Sequence, residues 1–291
     1  MKVKEIIFDS SSEATLHKHL QSLWDNKVLV LTHIPVKDVI DIYDKDANLT
    51  SSERDNFLSK SNFDFVITSK ESDNYGKPLL VIEFDGIGCG YSYDGIYHQV
   101  NFVNNDKYRK LKMDCKIKIC EQSGLPLIVI SWNEINKFFT DEGFTIIDGI
   151  IGEILFDSEF DKVVSENISA VFEALDYTLD REDERDIIDS AIANYEVQAM
   201  CNVNPIAKRC SELYDKVLNE KLIGVHGFSS ICDNNLKGYE YFAYLNNANK
   251  DLLSEKVVIR EVNCIEATTF HVAKDLAELL LWKKVLEVTN K

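Results

Sequence analysis

Proline is scarce in this chain, 4 of 291 residues, and glycine numbers only 12. That excludes collagen-like, low-complexity and linker-dominated chains. None of the seven cysteines stands in a CxxC pair and their number is odd, which argues against a zinc cluster or a disulfide framework. Reduced, mostly buried thiols in a cytoplasmic protein are expected instead. No stretch approaches the ~20 apolar residues of a membrane span, and the opening MKVKEIIFDSSSE lacks the apolar core of a signal peptide. Positive charge is also short: 32 Lys and Arg stand against 49 Asp and Glu, for a formal net charge of −17. A broad, sequence-blind coat for nucleic acid is therefore disfavoured. A local anion-binding cleft is not, because a bound divalent cation inverts the sign there.

What is present is an ordinary globular mixture, 45% hydrophobic and 28% charged, with length for one large domain or two of ordinary size. Ser10 to Ser12 followed by EATLHKHLQSLW reads as a capped helix with Leu16, Leu20 and Leu23 on its apolar face. KVLVLTHI, FDFVITS and PLLVIEFDG read as strands, the last two separated by the turn-rich KESDNYGK. A helix over about Asp106 to Gln122 ends at GLP, and LIVISW follows as an apolar strand. After Trp132 the character changes. Asp157 to Tyr195 is acidic and helical in pattern, Pro205 to Asn219 is a further helix, and three strand-like runs precede a closing amphipathic helix, HVAKDLAELLLWKKVLEV. A boundary near residue 155 separates an α/β core, 1–154, from a helical and α+β region, 155–291.

The two central strands are close enough in sequence to form an antiparallel hairpin. A turn centred near Asp73 and Asn74 sets Asp64 across from Glu83. Side-chain alternation then puts Phe63, Phe65, Ile67, Leu80, Ile82 and Phe84 on one apolar face, and Asp64, Val66, Val81, Glu83 and Asp85 on the other. Three carboxylates beside valines are unfavourable without compensation. Hard Mg²⁺, which takes one or two carboxylates plus waters and phosphate oxygens, is the simplest one, with Mn²⁺ as its substitute. The plainer reading is a solvated strand end with a turn at Asp85-Gly86.

In the Asp106 to Gln122 helix, Tyr108, Leu111, Cys115 and Ile119 form one apolar arc and Met113, Ile117 and Cys120 another. Arg109, Lys112 and Lys116 lie between them at i, i+3, i+7 spacing, with Lys110, Asp114 and Lys118 opposite. A basic stripe flanked by apolar residues points inward or over a cleft, where carboxylates or a phosphate would meet it. The alternative is snorkelling, with wet heads and packed stems.

The order SEATLHKHL, VLVLTHI, FDFVI, PLLVIEFDG and a helix ending GLPLIVIS resembles the PD-(D/E)XK phosphodiesterase superfamily over roughly residues 10 to 135. More narrowly it is similar to a bacterial domain of unknown function related to very-short-patch-repair-type endonucleases. The resemblance implies a restriction-endonuclease-like α/β core, with a mixed sheet flanked by helices; the C-terminal α+β extension is read from the residues alone. It also implies a Mg²⁺-dependent nuclease acting on DNA more readily than RNA. Asp64 and Glu83 would be metal ligands, with Asp85 a possible third standing where the superfamily's signature lysine belongs. A basic residue from the following helix would replace that lysine, Lys116 first and Lys112 second. Glu13 matches the helical glutamate that supports the site. Two features depart from the pattern: His98 follows a long GIGCGYSYDGIYH insertion, and the Arg-Asp pair ahead of the helix lysine is missing. The rival function is an inactive module that keeps the fold for nucleic-acid or protein binding.

Other features are weaker. GIGCGYSYDG is no GxGxxG, so nucleotide cradling is unsupported. Cys89 reads as a loop thiol, LDREDERDIID as a solvated helix face, and His271 as a helix-start residue. Leu276, Leu279, Leu280 and Leu286 read as core or a homodimer face. A protein partner bound through the C-terminal region, in a defence or repair assembly, is an expectation by analogy alone.

Overall fold

A computed structural model describes residues 10–85, 107–131, 143–175, 181–219, 226–231, 238–246, 252–260 and 266–289. The chain forms two compact units. The first comprises Met1–Thr140 with Asp233–Gly238 and Arg260–Glu266. The second comprises Asp141–Cys232, Tyr239–Ile259 and Ala267–Lys291.

In the first unit, helix α1 spans Ser11–Trp24. The Ser10 hydroxyl accepts a 3.1 Å hydrogen bond from the Glu13 N–H, satisfying one of the helix's unpaired first-turn donors. Leu16, Leu20 and Trp24 are buried, so Trp24 rather than the expected Leu23 completes the inner face. Strand β1, Val28–Pro35, is followed by a helical turn, α2, Val36–Val39. A π-helical turn at Glu53–Phe57 and a 3₁₀ turn at Leu58–Lys60 lead into β2, Asn62–Ser69, then β3, Pro78–Asp85, helix α3, Lys107–Ser123, and β4, Leu127–Ser131. Gly124, at φ +67°, stops α3 in the left-handed conformation that glycine adopts at no steric cost. The Leu125 N–H then bonds back to the Cys120 carbonyl at 3.0 Å.

The sheet order is β1-β2-β3-β4. The first three strands are antiparallel neighbours and β4 runs parallel to β3, as a helical crossover between them requires. The fold is thus mixed α/β. In the hairpin Phe65 faces Ile82, Val66 faces Val81 and Ile67 faces Leu80, the register read from the sequence. A shift between Ile67 and Thr68 absorbs the turn. Both sheet faces are covered. His17 of α1 stacks over Phe65 at 6.4 Å, while Val66 and Val81 pack with Cys115, Ile119 and Cys120 of α3. Phe63 joins that second cluster, although alternation alone would put it with Phe65.

The second unit holds α4, Ile146–Ala174, α5, Arg181–Val203, α6, Pro205–Asn219, and α7, Glu266–Thr289. Strands β5, His226–Ile231, β6, Gly238–Asn246, and β7, Leu252–Arg260, form a sheet in that order. The boundary read near residue 155 falls inside α4, and the units divide after Thr140. No described helix is long and apolar enough to cross a membrane.

Candidate functional site

Two hydrogen-bonded neighbours build the site. Strand β3 carries Glu83 inward, where only 3% of it is exposed. Helix α3 carries Lys116, 8% exposed, to meet it, with Nζ donating to Glu83 Oε2 at 2.6 Å. The same ammonium donates to the Asn62 carbonyl at 2.6 Å and lies 5.7 Å from the Phe63 ring centroid. A buried lysine is tolerated when its protons are satisfied and its charge is paired.

Glu83 is only half satisfied. Among the described residues no donor reaches its Oε1, which is sealed from solvent. Burial pushes its carboxyl up to about 7, opposed by the Lys116 charge and reinforced by the charge of Asp64. Asp64 stands beside it on β2, half-buried, and its Oδ2 accepts a 2.7 Å bond from the Phe84 N–H. That bond ties the carboxylate to the strand carrying Glu83, in the register that places the two across from each other. A buried carboxylate oxygen without a donor is costly unless something else approaches it.

The structure brings together Asp64, Glu83 and Lys116. Lys112, the second choice for the basic role, is exposed and makes no ion pair among the described residues. Arg109 is half-buried, so the stripe enters the interior only at its Lys116 end. The outer apolar arc fails likewise: Tyr108 and Leu111 are exposed while Cys115 and Ile119 are buried. Glu13 is buried on the inner face of α1 beside Leu16 and Leu20. The backbone of Asp85 pairs with Ser131, but its side chain lies outside the described residues, as do Cys89, His98 and the intervening insertion. Among the described residues no three His, Cys, Asp or Glu side chains are grouped so as to hold a metal ion. A divalent cation here would rest on Asp64 and Glu83, a number of protein carboxylates that suits Mg²⁺.

Sequence reading missed His33. It has φ +54°, the one non-glycine residue with positive φ among those described. The pairs Thr32–Phe65 and Ile34–Phe63 place it across β1 from Asp64. Side chains in this conformation carry strain, and such residues concentrate where geometry serves function. No local sequence signal announces it.

A second polar group was also missed, within the second unit. His271 is not a helix-start residue: α7 begins at Glu266. Its Nδ1 lies 3.0 Å from Glu153 Oε2, and Asn204 Nδ2 donates to the other Glu153 oxygen at 3.3 Å. His271, Asp275 and Glu278 recur at i, i+4, i+7, a single helix face. Burial, with the charges of Glu153 and Glu278, pushes Asp275 up to about 7, against the lowering influence of Lys274 and His271. The Glu153 hydrogen bond raises His271 above its ordinary value.

Both shifts act in one direction on stability. Asp275 binds its proton in the folded state up to about pH 7 but loses it near pH 4 when unfolded. Its contribution therefore falls as pH rises through that window. The charged His271–Glu153 pair likewise stabilises below the ordinary histidine value and is lost as pH rises through the elevated one. Raising pH from 6 to 8 is expected to cost the second unit about 1 kcal/mol, measured as slower protection loss at pH 6 in hydrogen exchange corrected for intrinsic rates. Asp275→Asn should flatten most of that difference. An unchanged profile would mean the carboxyl titrates normally.

Residues 4–139 are similar to a family described as a protein of unknown function, DUF2726. No curated protein and no solved structure matches the chain.

Proposed function

We propose that the first unit is a restriction-endonuclease-like nuclease core of the PD-(D/E)XK kind, which hydrolyses phosphodiester bonds of DNA or RNA with the help of Mg²⁺ or Mn²⁺. The observation that carries this reading is the Glu83 carboxylate, buried, held at one oxygen by Lys116 and, among the described residues, left without a donor at the other. The donor set fits a hard cation: two neighbouring carboxylates, one of them with an enclosed oxygen that no donor among the described residues reaches. Asp64 and Glu83 would hold it, with Asp85 as a candidate third ligand. Bound there, the cation would supply polarisation of the scissile phosphate and neutralise the charge that develops on it.

The chain's own residues do the rest. The Phe84 N–H fixes the Asp64 carboxylate. Lys116 fixes Glu83 and keeps a positive charge on the inner face of α3, where it can stabilise negative charge gathering on a phosphate. In this reading Lys116 takes the part that the signature lysine plays elsewhere, which answers the presence of Asp85 at the usual position. Glu13 and Lys112 are proposed as supporting residues, the first at the metal's surroundings and the second toward the phosphate backbone.

The test is calorimetric titration of the full chain with Mg²⁺ and Mn²⁺, beside the Asp64→Asn, Glu83→Gln double variant, with cleavage of single- and double-stranded DNA and RNA followed on the same samples. Binding and cleavage should both disappear in the double variant. Wild-type protein that binds neither cation would remove the proposal and leave a recognition module on the same fold.

A further inference from the structure

In a chain of net charge −17, α3 is an exception. It carries Lys107, Arg109, Lys110, Lys112, Lys116 and Lys118 against only Asp114 and Glu121. Lys118 is paired with Glu53 at 2.9 Å and Lys116 with Glu83. Lys110 and Lys112 are exposed and have no ion pair among the described residues. A helix this rich in cations attracts a polyanion whatever the sign of the whole protein.

Aromatic rings flank this helix. Tyr108, at its outer end, is 66% exposed and Tyr43 is 59% exposed. The Phe57 ring lies 6.4 Å from the Tyr108 ring, and the Arg54 guanidinium, which also pairs with Asp55 at 3.3 Å, lies 5.6 Å above the Tyr43 ring. Arg54 and Phe57 belong to the same turn, Glu53–Phe57. Both exposed tyrosines are thus held against one turn, Glu53–Phe57, which itself packs on the basic helix. From there Arg109 and Lys112 lead toward Lys116, about 10 Å of helix. A single exposed tyrosine needs no explanation. Rings that border a cationic track are the arrangement that binds unpaired nucleotides, because phosphates follow the cations and base faces stack on the rings. A duplex hides its base faces and gains only the electrostatic part.

We propose that the surface formed by Tyr43, Arg54, Tyr108, Arg109 and Lys112 binds single-stranded nucleic acid and feeds it to the carboxylate site, so that single strands are the substrate class of the nuclease. This deepens the nuclease reading and rests on it for the cleavage step, whereas the binding surface stands on its own geometry.

The test is fluorescence anisotropy in EDTA, where metal-dependent cleavage cannot occur. The full chain is titrated into a labelled 12-nucleotide single-stranded DNA, the RNA of the same sequence, and the matching DNA duplex. The expected result is tighter binding of at least one single strand than of the duplex. Tyr108→Ala should weaken single-strand binding about tenfold with little change in salt dependence. Lys112→Ala should weaken it and reduce the slope of log affinity against log salt by about one. Circular dichroism of both variants should match wild type, because both side chains are exposed. Duplex binding as tight as single-strand binding, no binding of any probe, or a Tyr108→Ala variant with wild-type affinity would overturn the proposal. Single-strand binding without cleavage in Mg²⁺ would remove the nuclease reading alone. Cleavage that ignores Tyr108 would remove this one alone.

Discussion

Lys116→Met is expected to destabilise the first unit by about 3–5 kcal/mol, the cost typical of removing one partner from a buried ion pair. The substitution keeps the volume of the lysine stem and deletes only the ammonium. Three things are lost with it: the 2.6 Å bond to Glu83, the 2.6 Å bond to the Asn62 carbonyl, and the charge that opposes desolvation of Glu83. Glu83 must then stay ionised without a partner or bind a proton it would release in the unfolded chain. The measurement is native-state hydrogen exchange over peptides covering β2 and β3, which reports this unit apart from the other. The Glu83→Gln, Lys116→Met double variant should be more stable than Lys116→Met alone, because no carboxylate remains to be left unpaired. If Lys116→Met alone leaves exchange unchanged, the pair is not closed in solution. The opposite partner gives a control: Glu83→Gln retains an acceptor for Lys116 and should cost less than Lys116→Met.

How far the sequence revealed this site depends on which periodicity carried the information. Side chains alternate strictly along a strand, so one assumed turn was enough to set Asp64 across from Glu83, and the pairs from Phe65–Ile82 to Ile67–Leu80 agree with that register. Helical spacing was a weaker guide. The stripe Arg109, Lys112, Lys116 was legible on α3, but spacing cannot tell which end of a helix leaves the core. Tyr108 and Leu111 extend the apolar arc of Cys115 and Ile119, yet they are exposed. Amphipathic tyrosine sits equally well in either place. His33 could not have been found: its backbone angle results from the sheet around it.

The second unit was harder to read for a different reason. Asp275 and Glu278 follow a histidine at helical spacing and look like a wet face, as charged residues usually are. The structure turns that face toward Glu153 and Cys210. Glycines at 149 and 152 lie inside the helix Ile146–Ala174. They are present because neighbouring elements approach too closely for a side chain, a requirement that only the packed structure states.

Gly152→Ala follows from that approach and should destabilise the second unit by about 3 kcal/mol, the upper part of the range for overpacking. A Cβ built at Gly152 would lie 2.7 Å from both the Cα and Cβ of Asn204, well inside van der Waals contact. Gain in helix propensity, about 1 kcal/mol in an exposed helix, is outweighed because the obstacle is backbone. Asn204 cannot step aside cheaply. It is fully buried, and its Oδ1 caps α6 by accepting from the Ile206 and Ala207 N–H groups at 3.0 and 3.2 Å. Its Nδ2 meanwhile donates to Glu153, so moving it uncaps one helix and loosens the His271 partner together. Gly149→Ala provides the comparison, since its nearest obstacle is a methyl group of the Val272 side chain at 2.8 Å rather than backbone. Hydrogen exchange over α4 and α6 should show a large loss of protection for Gly152→Ala and a smaller one for Gly149→Ala. Equal losses, or a stabilised Gly152→Ala, would show that α4 and the Asn204 turn do not meet as described.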